Sequence, residues 1–390
     1  MRFSYLLVVV VHLLLSFSSA TLFEKRTSAS YDGQADALAA QGLKNLVDYT
    51  ASHGFPSQKC NLTTAAVRRE WGALSIDERK NYTAAVNCLA KKAARTPSSV
   101  ASGARNRYDD FVVTHIIQTP SVHGTGNFLA WHRYFVWAYE QALRNECGYT
   151  GYQPYWNWGK YVDDPISSPI FDGSDASMSG NGVHVAHETT CVAPGFCLPA
   201  GNGGGCISSG PFKDFKVNLG PVFGAYSDVK PNPQSSGLGY NPRCIRRDIS
   251  AYAAKSVTDA ITVDLIKNNP DPYWFITNMQ GDFPRNYLGI HAGGHAIFTG
   301  DPGGDIFVSL GDPVFWLHHS MIDRVWWTWQ NLDIPNRQYS ISGGTSMFDF
   351  QHTSPNATLD DAIDLGVNGD PITNRDAMST IAGPFCYIYA

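Results

Sequence analysis

Seven of the twelve histidines constrain this chain more than any other feature. They fall in two clusters, His115, His123 and His132, then His291, His295, His318 and His319. Each cluster lies beside Trp, Phe or Leu, where a buried imidazole needs a partner. His291 and His295 stand at i and i+4, which places both on one face of a helix. A third nitrogen from the 318–319 pair completes a three-nitrogen metal site with one coordination position left open. A lone histidine is usually structural, but two clusters that each combine helix and loop or helix-end positions are not so easily explained. Of the other five, His12 falls in an apolar leader. His53, His184, His187 and His352 sit in polar or loop contexts and are expected at the surface.

The donor set narrows the metal. Imidazole suits Zn, Cu, Fe and Ni. A zinc hydrolase needs a general base, and Ala292 stands where an HExxH helix carries Glu. A facial-triad iron site needs a carboxylate beside two histidines. Two all-histidine triads fit neither. They fit two copper ions held by neutral nitrogens and facing each other across a gap that O2 can bridge, with apolar walls keeping water out.

Helical spacing and helix-forming residues mark 31–52, 63–92, 107–118, 128–147, 249–268 and 319–332. Ser75 with Glu78 reads as a capping box. Thr119-Pro120 is expected to end one helix, leaving His123 in a short loop, and Pro270 and Pro272 to break another. Residues 148–242 are rich in Gly, Pro, Ser, Asn and Asp and read as loops. The tail from 333 onward is irregular, with short strands at most.

Residues 1–20 read as a secretory leader: Arg2, an apolar run, then Ser18-Ser19-Ala20. Lys25-Arg26 marks 21–26 as a short propeptide. Secretion makes disulfides the expected state of the eight cysteines, up to four bridges of undetermined pairing. It also makes Asn61, Asn81 and Asn356 candidate N-glycan sites. The formal charge of −5 and the lack of basic runs argue against nucleic acid or an anionic membrane as partner.

Four stretches carry a resemblance to a known family. Residues 312–324, DPVFWLHHSMIDR, resemble the second copper signature of the tyrosinase, catechol oxidase and hemocyanin superfamily, and residues 123–135, HGTGNFLAWHRYF, resemble the first. Tyr155-Trp156-Asn157-Trp158 is similar to the family's YWDW stretch, with Asn for Asp. Tyr387-Ile388-Tyr389 resembles the tyrosine motif that closes the catalytic domain. The resemblance implies a mainly α fold, with four central helices holding two coppers and long loop-rich, disulfide-stapled insertions. It implies one catalytic domain over 27–390 without a C-terminal lid. His115, His123 and His132 would bind the first copper, His291, His295 and His319 the second, and His318 would stand behind them. The implied activity is oxidation of o-diphenols to o-quinones with O2 as co-substrate. The alternative is a hemocyanin-like O2 carrier without turnover.

Three departures bear on substrate. Ser121 stands where many fungal relatives have a cysteine linked to the second ligand of the first copper, so no such link forms. Ala292 replaces the Asn common in members that hydroxylate monophenols. Asp282 is the nearest upstream acid that could take over from the family's water-holding Glu. Gly293-Gly294 between two expected ligands costs about 1–2 kcal/mol of helix propensity, and close approach of substrate or another backbone is the expected return. Asp323, four residues beyond His319, either orients an imidazole or pairs with an arginine such as Arg133.

Overall fold

A computed structural model describes residues 28–390 apart from 194–195, 224–227, 286, 348, 350 and 352. The leader, the Lys25-Arg26 pair and His352 lie outside the described residues. Eight helices carry the architecture: α1 Gln34–His53, α2 Ile76–Leu89, α3 Arg107–Val122, α4 Phe128–Cys147, α5 Asp259–Asn268, α6 Pro272–Gln280, α7 Gly289–Ile297 and α8 Val314–Leu332. The central bundle is α3, α4, α7 and α8, as expected for a mainly α chain. α1 lies along α8, where Gly42 comes so close that a Cβ there would meet Asn331 at 3.2 Å.

Local chemistry starts the helices. Ser75 and Glu78 close the expected capping box at α2, and Asn106 with Asp109 makes another at α3. Gly148, at φ 66°, ends α4. Pro272 does not break a helix but begins α6, because the first helical position needs no N–H, and Asp271 caps it by accepting from Tyr273 and Trp274. Pro120 does not end α3 either. The helix runs through it to Val122, since proline there forfeits only its own N–H bond, and His123 N closes the end on Thr119 O at 3.2 Å.

Two expected helices are cut differently. Residues 63–75 hold a strand, Ala66–Arg68, and a 3-10 turn. The strand pairs parallel with Tyr387–Tyr389, Ala66 opposite Tyr387. That partner lies at the far end of the chain, beyond the reach of local periodicity. The 249–268 stretch divides at Thr258, whose side chain accepts from Ile261 N and restarts the helix as α5. α8 begins at Val314, five residues before the expected start, with Asp312 accepting from Val314 N.

The eight cysteines form four disulfides: Cys60–Cys386, Cys88–Cys147, Cys191–Cys197 and Cys206–Cys244. The last two staple the loop-rich insertion, which contains short antiparallel pairs. Fully buried Arg247 joins this insertion to the start of α8, with two bonds of 2.6 and 2.7 Å to Asp312. No described helix is long and apolar enough to cross a membrane.

Candidate metal centre

α3 carries His115 and ends at His123, and α4 carries His132. Each of these imidazoles donates from Nδ1 to a backbone carbonyl: His115 to Phe307 at 2.9 Å, His123 to Thr119 at 3.3 Å and His132 to Phe128 at 2.7 Å. A carbonyl only accepts, so the proton sits on Nδ1 and Nε2 is left as a bare lone pair. The Nε2 atoms of His115 and His132 are buried with no hydrogen-bond partner.

The second cluster is built by α7 and α8. His291 Nε2 is likewise buried and unpartnered. His295 Nε2 and His319 Nε2 face each other at 3.1 Å. In each cluster the potential ligand atoms lie within 4.8 Å of one another. Orphaned buried nitrogens converging without a carboxylate are costly unless a cation takes the lone pairs. The donor set therefore fits soft to borderline metal ions.

The clusters face each other. His132 stacks on His319 at 4.5 Å between ring centroids, and His123 lies 5.9 Å from His291. Phe128 wedges between, 4.6 Å from His132 and 4.7 Å from His291. Phe315 stacks on His319 at 4.0 Å. Burial, reinforced for most of them by the neighbouring imidazoles, holds these histidines well below their ordinary pKa. His115 is pushed down to about 4, by burial alone. They are neutral near pH 7, the form that binds metal.

His318 has no nitrogen to spare. Trp158 Nε1 donates to its Nδ1 at 3.1 Å, which leaves the proton on Nε2, donated to His291 O at 3.0 Å. The adjacent glycines make room for this. A Cβ on Gly294 would stand 2.2 Å from His318 Cε1, and one on Gly293 would stand 2.9 Å from Ser256 Cβ. The close approach is thus made by a histidine and by the 255–257 turn.

Residues 105–332 match the family model of the common central domain of tyrosinase. The chain belongs to the tyrosinase family. It is a copper-dependent oxidase. It is 41% identical over 319 residues to the tyrosinase-like protein orsC of Emericella nidulans, covering 78% of this chain and 84% of that one. It is 37% identical over 341 residues to tyrosinase P of Aspergillus terreus, covering 86% and 94%. Among solved structures it is similar to a variant of the polyphenol oxidase of Thermothelomyces thermophila, with TM-score 0.86 and 42% identity over 92% of this chain and 98% of that one. The tyrosinase-family fold implies a dicopper site, and the two histidine clusters fit it.

Other site residues fall in unexpected places. Asp323 orients no imidazole. It accepts from Arg133 Nε at 2.6 Å, from Tyr387 and Tyr389 at 2.6 Å each, and from Arg68 Nη1 at 3.4 Å, all buried. Asn157 donates to Asp36 at 3.1 Å, and Asp36 in turn accepts from Arg324 at 2.7 Å. Ser121 is exposed and donates to Gln118 O. Asp282 lies in the turn before α7, paired with Arg285 at 3.0 Å. His53 and His184 are exposed as expected, but His187 is half-buried, 3.0 Å from Asp248. A loop context did not reveal that acid 61 residues away. Sequence reasoning also missed Trp158 as the residue that fixes His318. The signal was there, in the Tyr155–Trp158 motif, but nothing local linked it to 318.

Proposed function

We propose that this chain is a secreted dicopper oxidase that converts o-diphenols to o-quinones with O2. In this reading His115, His123 and His132 hold one copper and His291, His295 and His319 the other. Residues 1–20 are the leader, 21–26 are trimmed, 27–390 act as one catalytic unit, and Asn61, Asn81 and Asn356 carry glycans. The observation that carries the proposal is the convergence of buried, neutral imidazoles in two facing clusters with no acid among them, the Nε2 atoms of His115, His132 and His291 having no partner.

The copper pair supplies O2 binding and the two-electron chemistry. The protein does the rest. Carbonyls of Phe307, Thr119 and Phe128 fix the tautomers of the first triad, so each Nε2 is aimed before metal arrives. Phe128 and Phe315 keep water from between the triads and hold the imidazoles in place. Ala292 and His295 are the half-exposed positions on α7, and that side admits a planar phenol.

Monophenol hydroxylation is the finer question. Ala292 offers no side-chain amide to hold a water, and Asp282 is the acid this reading puts forward for deprotonating the phenol. Oxygen uptake with catechol, measured beside bound copper, tests the proposal. Reversible O2 binding without turnover would instead mark a carrier. An Ala292→Asn variant compared on monophenols and diphenols resolves the second point, and loss of monophenol turnover alone in Asp282→Asn would assign the acid. One relative, ivoB of Emericella nidulans, is named an N-acetyl-6-hydroxytryptophan oxidase and is 36% identical over 348 residues. Hydroxylated indoles therefore belong in the substrate panel.

A further inference from the structure

Thr119 stands between two proposed ligands, four residues after His115 and four before His123, which caps the end of α3. It is fully buried, and both its polar groups serve the first triad. Its hydroxyl donates to His115 O at 2.6 Å and lies 3.3 Å from His115 Nδ1. Its carbonyl accepts from His123 N at 3.2 Å and from His123 Nδ1 at 3.3 Å. His132, the third member, is held elsewhere, by Phe128 O at 2.7 Å.

Counting protons fixes the direction of these bonds. A hydroxyl has one proton and two lone pairs. The proton of Thr119 goes to a carbonyl, which can only accept, so a lone pair remains for the imidazole. His115 Nδ1 carries its own proton, because Phe307 O at 2.9 Å can only accept it. That N–H is therefore shared between Phe307 O and Thr119 Oγ1, a three-centre bond. Two acceptors on two different segments restrain the ring more than one would. The rings of His115 and His123 meet edge to face, with centroids 5.0 Å apart and planes 75° apart, and Thr119 is bonded to both residues. A threonine hydroxyl bonded back to the carbonyl four residues earlier is common in helices and slightly destabilises them. Here the same oxygen also meets the ring nitrogen of a proposed ligand, which a helix does not need.

We propose that Thr119 is a positioning residue for the first copper: its hydroxyl orients the His115 ring and its carbonyl the His123 ring, so that the two are set as one unit. This rests on the dicopper oxidase reading above. Thr119 acts through the two histidines and touches neither metal nor substrate. None of these bonds reaches the second triad, so the second copper should not feel the residue.

The test is chelator competition on copper-loaded protein, read beside the thermal midpoint of the metal-free form. Thr119→Val keeps the side chain's shape and the carbonyl but removes the hydroxyl. The first copper should then be released about two- to tenfold more readily, the equivalent of one neutral hydrogen bond, with the second copper and the midpoint unmoved. Repeating the competition in a His319→Ala background, where the second site is incomplete, assigns the change to the first site. Thr119→Ser should show the opposite pattern: copper held as in the wild type, and a lower midpoint from the lost methyl. Thr119→Ser and Thr119→Ala share that lost methyl and differ only in the hydroxyl, so they carry the same comparison if Thr119→Val does not fold. Unchanged copper affinity in Thr119→Val, equal weakening of both coppers, or equal release from the Ser and Ala variants would overturn the proposal. A wild type that binds no copper pair would instead overturn the oxidase reading, and that control is read before any variant.

Discussion

One turn of α8 separates His319 from Asp323, and the two residues serve opposite environments. Around His319 seven imidazoles gather with no acid, and burial keeps them neutral. Around Asp323 two arginines and two tyrosines converge on one carboxylate, and Arg68 also pairs with Glu140 at 2.9 Å. Both regions are buried and polar. The first leaves lone pairs unsatisfied and aimed at common points. The second satisfies its carboxylate fully. Unsatisfied nitrogens are stable only where a ligand completes them, so the contrast separates the working half of the bundle from the half that fixes the paired strands 66–68 and 387–389 to it.

The sharpest break comes from His319→Ala. We expect copper to fall from two ions to about one per chain and diphenol turnover to vanish, while the thermal midpoint of the metal-free protein changes little. Elemental analysis and calorimetry on the same sample check this. A variant that keeps both coppers would remove His319 from the ligand set.

Asp323→Ala should show the reverse. It leaves two buried guanidinium groups and two phenols without their acceptor. Breaking a buried ion pair costs about 3–5 kcal/mol, and denaturant unfolding should show a loss of that size. Copper still bound to the folded fraction should be unchanged. If Asp323→Ala released copper without destabilising the fold, the separation between the two halves would fail.

The sequence exposes these two halves unequally. The histidines announce themselves because seven imidazoles among Trp and Phe have few structural explanations, α2 announces itself through its capping box, and α4 through its apolar face. The Asp323 hub is hidden because its members are scattered at Arg68, Arg133, Glu140, Tyr387 and Tyr389. Arg68 is placed by a strand whose partner is at the far end of the chain, and no local pattern reports such pairing. Gly293-Gly294 pointed to the close approach of a substrate or another backbone but not to the actual neighbours, for the same reason: they are Ser256 and His318, on other elements.

Acid should act on the halves in turn. Burial lowers the histidine pKa values from an unfolded ~6.5, to about 4 for His115. Between those limits the unfolded chain binds a proton that the folded chain refuses. Stability of the metal-free protein should therefore fall with falling pH by about 1.4 kcal/mol per unit for each such histidine. Copper should be lost over the same window, because protons compete for the ligands. Asp323 behaves otherwise. Burial raises its pKa, but Arg133 and Arg68 outweigh that and hold it below the usual carboxylate value. Its contribution is complete above ~3.9 and is lost only as pH falls below that. A titration of stability in which the decline begins only below pH 4 would mean that the histidines are not neutral by burial.

The finest probe is Trp158→Phe. In the native protein the indole N–H forces His318 Nδ1 to stay bare, so Nε2 must carry the proton that reaches the His291 carbonyl. Phenylalanine removes that instruction. The hydrogen bond from α8 to α7 through His318 then depends on a tautomer no longer fixed, and a bare Nε2 facing a carbonyl repels it. Groups that orient ligands in this way typically alter metal affinity about 10- to 100-fold, and the effect here belongs near the lower end because His318 holds the backbone of His291, a proposed ligand, rather than its ring. Chelator competition should show the second copper released more easily and the first unchanged, with a stability loss of about 1 kcal/mol from the missing hydrogen bond. A matching substitution at the charged end, Gln330→Leu, removes the acceptor of Arg133 Nη2 at 3.1 Å and should leave both copper affinities alone. If the two variants weakened copper equally, the histidine end would be no more specialised than the hub one turn below it.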